Sequence, residues 1–238
     1  MYDRKLRMYD EAHSPEHLEE MSNEKNVNTG KFLTDAHFFS YFIQMKKIRE
    51  LNPKTVLEIG PGEGFIQQYM KQLGIAYDTM DIISESNPTY LSKLEDFDAN
   101  NAMLYDVVCS FQMLEHSDYK FFKSNLMKMK ELSKKYVFIS LPYSCYKFSF
   151  GINIQLGQDR RISRKVEFIV PTNKPNRKYR KQYVDEFPWA VHYFEIGRKG
   201  FSKKKIFRDM KDAGLNILDT FHSENAFHYF ILAEKVVE

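Results

Sequence analysis

The sequence predicts an α/β fold: a doubly wound sheet, mostly parallel, with helices on both faces and an antiparallel strand pair near its C-terminal end. Three observations predict it. Short apolar runs alternate with amphipathic segments from residue 35 to residue 142, as in strands buried on both faces and joined by crossover helices. A glycine triplet, Gly60, Gly62 and Gly64, directly follows the first apolar run. Two later apolar runs, 215–221 and 227–235, have a connection too short for a crossover, so they should pair antiparallel.

Taken in order, residues 1–34 are polar and charged and read as an N-terminal extension. Residues 35–51, DAHFFSYFIQMKKIREL, form an expected amphipathic helix ending before Asn52-Pro53. TVLEIG (55–60) is a buried strand, and GFIQQYMKQLG (64–74) is a helix stopped by Gly74. IAYDTMDI (75–82) is a second strand, followed by a loop and a short helical piece around 88–94. YDVVCSF (105–111) is the next strand. Residues 117–135 then place Phe121, Phe122, Leu126, Met129 and Leu132 along one side of a helix that leads into the strand YVFISLP (136–142). A helix over 201–214 stops at Gly214 ahead of the final strand pair. Residues 143–200 fit no βα unit and read as an insertion into a single domain. Within it FSFGINIQ and KVEFIVP form a hairpin around QDRRISR.

Composition narrows the function. With 43% hydrophobic residues, 20 Phe and 15 Tyr, the 238-residue chain can fill a sizeable core. A net charge of +3 is too small to point to nucleic acid. No run approaches the roughly 18 apolar residues of a membrane helix, and the charged start is not a leader, so a cytoplasmic location is expected. The two cysteines, Cys109 and Cys145, lie far apart without metal spacing. Neither a disulfide framework nor a metal site is expected.

Glycine is entropically costly, so three of them after a strand imply a backbone that turns tightly or lies against a ligand. At the carboxyl end of a parallel strand, ahead of a helix, that ligand is nucleotide-like. A dinucleotide fingerprint would need glycine where Phe65 stands, and the Gly-Lys-Ser/Thr of a phosphate loop is absent. The pattern E-x-G-x-G-x-G resembles motif I of class I S-adenosylmethionine-dependent methyltransferases. Asp81 about 20 residues on, the Asp-Val-Val strand running into Leu114-Glu115-His116, the YVFISLPYS strand and the antiparallel ending stand in that family's order. The resemblance covers roughly 35–142 and 190–236, and the fold it implies is Rossmann-like.

The resemblance implies roles. Gly60, Pro61, Gly62 and Gly64 would lie under the methionine and ribose parts of S-adenosylmethionine. Glu58 would orient the loop near the amino group, Asp81 would hold the ribose, and Ile82 would lie against the adenine. Asp96 or Asp98 would face the adenine amino group. Phe111 and Gln112 would line the route to the acceptor. Because the sulfonium is already electrophilic, the protein need only position the reactants and, for some acceptors, supply a base. His116 and His192 are the candidate catalytic bases, since histidine titrates near neutrality, and Glu195 is placed to orient His192.

Residues 157–181 carry nine Lys or Arg against Asp159 and Glu167. Lying across the acceptor site, such a segment favours a small anionic or sugar-type acceptor. Tyr143, Arg160, Arg161, Trp189 and Tyr193 are the expected substrate contacts. The expected product set is a methylated oxygen and S-adenosylhomocysteine. RNA methylation through the basic insertion is the alternative within enzymes, with Tyr179 and Tyr183 available to stack on bases. The alternative outside enzymes is a cofactor-binding partner subunit without catalysis.

Overall fold

The computed structural model describes residues 35–62, 64–156, 160–186 and 191–236. Helix α1 spans Asp35–Glu50, strand β1 Thr55–Ile59, helix α2 Phe65–Gln72, strand β2 Ala76–Asp81 and strand β3 Tyr90–Leu91. Strand β4 (Tyr105–Phe111), helix α3 (Phe122–Leu132) and strand β5 (Ser133–Pro142) complete the first part. Strands β6 (Cys145–Leu156) and β7 (Arg160–Pro171) and helix α4 (Lys181–Glu186) follow. Helix α5 (Lys203–Asp212) and strands β8 (Leu215–His222) and β9 (His228–Lys235) end the fold.

Seven strands make one sheet in the order β3-β2-β1-β4-β5-β9-β8, parallel from β3 to β5 and antiparallel through β9 and β8. The apolar runs are continuous because alternate residues serve two cores. Leu57, Val108, Ile139 and Ile231 pack on one face with Leu126 and Met129 of α3 and Ile206 and Met210 of α5. Val56, Val107, Phe138 and Phe230 pack on the other with Ile48 of α1 and Ile66 and Met70 of α2. A strand buried on both sides shows no polar alternation.

Three expectations are corrected. Residues 88–94 hold no helix: Tyr90 and Leu91 pair with Met80 and Asp81, a strand entered through Pro88, which disfavours the helical conformation before it. Strand β5 begins at Ser133, where Leu132 is the last helical residue packed on the core, so residues 133–135 are strand. Arg160 to Ser163, expected in the hairpin turn, are strand, with Ile162 opposite Ile154.

The β6–β7 ribbon is a separate two-stranded sheet. Tyr146, Phe148, Phe150, Ile152 and Ile154, with Ile162, Val166, Phe168 and Val170 across from them, line one face and are each 45–66% exposed. The opposite face carries Lys147 and Lys165, both paired with Glu167. Lys165 also reaches Glu224 in the β8–β9 connection. No described helix is long and apolar enough to cross a membrane.

Candidate functional site

The carboxyl ends of β1, β2, β4 and β5 share one edge of the sheet, and the glycine loop lies there. All three glycines are left-handed, with φ of 71° at Gly60, 55° at Gly62 and 69° at Gly64. At Gly60 two demands coincide. Its N–H donates to the Met80 carbonyl at 2.9 Å, and a Cβ on it would lie 2.6 Å from Cγ of Met113. A Cβ on Gly62 would meet nothing within 4 Å, so there the backbone is bare toward open space, as a loop that receives a ligand requires. Pro61 accepts from the N–H of Gly64, which starts α2 with no side-chain cap. The first-turn N–H groups of α2 have therefore no capping side chain to compete with an anionic group.

Pairing of Ile59 with Met80 brings Asp81 beside this loop. One Asp81 oxygen accepts from the N–H of Ile83 at 3.0 Å, and Ile82 is 59% exposed beside it. Glu58 is buried at the end of β1 and accepts from the Tyr77 hydroxyl at 3.0 Å. Burial raises its carboxyl to about 7; the Tyr77 hydrogen bond opposes this and the charge of Asp81 adds to it. Asp96 is exposed, whereas Asp98 caps a short 3-10 turn by accepting from Asn100 N–H.

Strand β4 ends on Phe111, whose ring lies in the core against Phe138 and Phe230. The next residue, Gln112, turns the chain at φ 53°, with its N–H on the Ser140 carbonyl and its amide on the Ser140 hydroxyl. Gln112 is thus the edge residue and Phe111 the packing residue beneath it. The 3-10 turn Leu114–His116 follows, and residues 191–196 dock onto it. Tyr193 N–H donates to the Glu115 carbonyl at 2.8 Å, and His116 Nδ1 lies 3.0 Å from the Val191 carbonyl. Tyr193 in turn accepts from Asn176 through its backbone carbonyl.

This docking sets His116 and His192 with ring centroids 5.1 Å apart. His192 Nδ1 is 3.2 Å from Oε1 of Glu195, a carboxylate with no solvent exposure that also takes the Arg177 and Arg198 guanidinium groups at 2.5 Å each. Burial alone would raise the Glu195 carboxyl. The His192 hydrogen bond and the two arginine charges outweigh it and hold the group at about 2. Glu195 is therefore ionised and can only accept, which assigns a hydrogen to His192 Nδ1 and leaves Nε2 as the nitrogen that carries the lone pair in the neutral ring. The same argument applied to the Val191 carbonyl gives His116 the same tautomer. Burial, then the neighbouring His192, lowers His116 to about 4 against the opposing carbonyls of Val191 and Gln112, so its ring is neutral.

A cavity of about 430 Å³ opens beside these groups, lined among others by Tyr143, Cys145, Lys147, Arg177, Glu195 and Phe227. Phe227 stacks on His192 at 6.2 Å. Tyr143 is buried between His222, 5.0 Å away, and Gly197, where a Cβ would come within 2.6 Å of its ring. The structure thus sets the glycine loop, Asp81 and Gln112 along the carboxyl edge of the sheet, joins both histidines and Tyr193 at the turn after β4, and places Tyr143 in the cavity wall with Glu195. It does not bring in Arg160 and Arg161. Their backbone pairs with Leu156 and Gln155 at the far end of the ribbon, about 35 Å of extended strand from Cys145. Trp189 lies outside the described residues.

Sequence reasoning missed Glu115. It is fully buried, and neither carboxylate oxygen has a hydrogen-bond partner among the described residues. Burial raises its carboxyl to about 8, with its own backbone N–H opposing and Glu195 adding. Its position beside His116 was the available signal, but its burial depends on a segment nearly eighty residues later.

Comparison with known proteins bears on the family and the fold. A family model described as a methyltransferase domain matches residues 36–220. The Burkholderia thailandensis 1,6-didemethyltoxoflavin-N1-methyltransferase, solved with S-adenosylhomocysteine, is similar at 13% identity. It covers 92% of this chain and 88% of its own, with a TM-score of 0.53. The magnesium protoporphyrin IX methyltransferase of Synechocystis PCC 6803, also solved with S-adenosylhomocysteine, is 13% identical, with 99% of both chains covered and a TM-score of 0.54. The glycopeptide N-methyltransferase MtfA is 12% identical over 81% of this chain and 88% of its own, with a TM-score of 0.51. No curated protein matches by sequence.

Proposed function

We propose, from the premise that this chain belongs to the methyltransferase-domain family, that it methylates an oxygen of a small anionic or sugar-type acceptor with S-adenosylmethionine as donor. The left-handed glycine loop beside Asp81 supports the donor, and Glu195, which holds His192 and itself lines a cavity with Lys147 and Arg177, supports the acceptor. The residues present fit the donor. Gly62 leaves room against its backbone, Asp81 offers a carboxylate for ribose hydroxyls, Ile82 offers an apolar surface for adenine, and the uncapped start of α2 suits a carboxylate. Bound there, S-adenosylmethionine supplies an electrophilic methyl group.

On the acceptor side, residues 143–200 make up the recognition segment. His192 Nε2, with its lone pair fixed by ionised Glu195, takes the acceptor proton, and Arg177 and Arg198 keep Glu195 charged as the ring becomes cationic. Tyr143 and Phe227 give the acceptor apolar walls, and Lys147, shared with Glu167, gives it a polar edge.

RNA is the weaker reading because part of the basic stretch is paired internally: Lys165 with Glu167 and Glu224, and Arg177 with Glu195. The ribbon that carries Arg160 and Arg161 also turns outward a largely apolar face, broken at Arg164 opposite Ile152.

The test is calorimetric titration with S-adenosylmethionine, S-adenosylhomocysteine and NAD, followed by transfer of labelled methyl to a panel of sugar phosphates, carboxylates and RNA. Binding of the first two ligands and labelling of a small anion supports the reading. Labelling of RNA alone overturns the acceptor, and failure of both cofactors to bind overturns the enzyme.

A further inference from the structure

Glu115, His116 and His192 place one ligand atom each within 4.8 Å of one another. Both histidines hold their Nδ1 against an acceptor, the Val191 carbonyl for His116 and the Glu195 carboxylate for His192, so each directs its Nε2 lone pair elsewhere. Histidine ligands of metals show this arrangement, in which a carbonyl or carboxylate on one ring nitrogen fixes the tautomer and raises the basicity of the other. Glu195 is itself fixed by Arg177 and Arg198. The third member, Glu115, is a fully buried carboxylate whose two oxygens have no partner among the described residues. A buried carboxylate left without a partner is expensive, and a cation between it and two imidazole lone pairs removes that penalty.

We propose that Glu115, His116 and His192 form a binding site for one divalent transition-metal ion. Two imidazoles and a carboxylate suit zinc, cobalt, nickel or iron(II), and two nitrogen donors out of three disfavour magnesium and calcium. Three protein ligands leave coordination positions open, as at catalytic rather than structural centres. His192, whose side chain keeps 22% exposure, is open to solvent.

The site deepens the proposed transfer and rests on that reading for its use, though not for metal binding itself. An acceptor hydroxyl on the ion ionises more readily. Its O–H bond breaks and the proton leaves to solvent. The electron pair kept on oxygen then forms the bond to the methyl carbon while the carbon–sulfur pair returns to the sulfonium sulfur. With an ion present, Nε2 of His192 is a ligand rather than the base. Acceptors that chelate, such as vicinal diols or hydroxy acids, are then preferred to isolated alcohols.

The experiment uses metal-stripped full-length protein. Cobalt(II) is titrated and followed by visible absorption, zinc and magnesium are quantified after equilibrium dialysis, and S-adenosylhomocysteine binding is measured on the same samples. The expected result is one equivalent of cobalt or zinc and none of magnesium. Affinity should fall at least tenfold in Glu115→Gln, His116→Ala and His192→Ala, with S-adenosylhomocysteine binding retained as the check on folding, and His222→Ala should match the parent. Absence of stoichiometric cobalt and zinc binding, or binding indifferent to all three substitutions, overturns the site. Metal binding without S-adenosylhomocysteine binding would instead overturn the transferase reading and leave the site standing.

Discussion

His192 Nδ1 lies 3.2 Å from a Glu195 carboxylate that two arginines hold ionised. The pair fixes one nitrogen of the ring and presents the other to the acceptor side. Replacing His192 by Ala should lower turnover about 100-fold while leaving S-adenosylhomocysteine affinity within about twofold. Single-turnover transfer and calorimetry on the same preparation check this. Equal loss of binding and rate would place His192 in the cofactor pocket or the fold.

At the glycine loop, strain and contact can be separated. Gly60→Ala meets both the left-handed φ and Met113, and should destabilise the fold by about 2–4 kcal/mol. In Met113→Ala, which removes the Cγ at 2.6 Å and keeps the Cβ at 3.0 Å, the same substitution should cost less, a coupling of about 1 kcal/mol in chemical denaturation. Additive losses would mean that the Met113 contact relaxes freely. Asp81→Ala should leave the melting temperature nearly unchanged and weaken S-adenosylhomocysteine binding about tenfold, since among the described residues its carboxylate accepts from one local N–H.

Stability should depend on pH through Glu58. Its folded carboxyl is raised to about 7 from an ordinary value near 4.5, mainly by burial. The folded chain therefore holds this proton more tightly than the unfolded chain. The resulting stabilisation is full below about pH 4.5 and is lost as pH rises through 7. Glu58→Gln lacks this dependence. The unfolding free energy of the parent minus that of the variant should fall by up to about 3 kcal/mol between pH 4 and pH 8. Parallel stability curves would show that Tyr77 compensates the buried charge.

The ribbon should be the least protected part of the sheet structure. Two strands with one exposed apolar face have only marginal stability of their own. In hydrogen-exchange mass spectrometry, peptides covering 148–154 and 162–168 should exchange at least about 100-fold faster than those covering β4 and β5. Comparable protection would mean that the apolar face is covered in solution.

What the sequence disclosed follows burial. Strands β1, β4 and β5 were legible because both faces are buried, and the glycine loop because three left-handed residues at alternate positions favour glycine. Tyr90–Leu91 was not, since two residues carry no periodicity and only pairing with β2 makes them a strand. His116 and His192 were legible by type. Their juxtaposition was not, because it needs residues 191–196 docked on a turn far away in the chain. Glu115 was passed over because a carboxylate beside a histidine reads as solvated until Tyr193 closes over its backbone.

Strand β9 is the latest strand in chain order, yet it lies inside the sheet, between β5 and β8. A nascent chain that has emerged only as far as β8 holds β8 without its neighbour and β5 with one edge bare. Tyr143, whose N–H is satisfied by the Phe227 carbonyl, still lacks its partner. The parallel half can assemble during synthesis, but the acceptor cavity, with Phe227 in its wall, closes only after β9 is free of the ribosome. Ribosome-stalled chains ending before residue 227 should therefore form the glycine-loop half of the site without the cavity, with an open sheet edge that a chaperone would recognise.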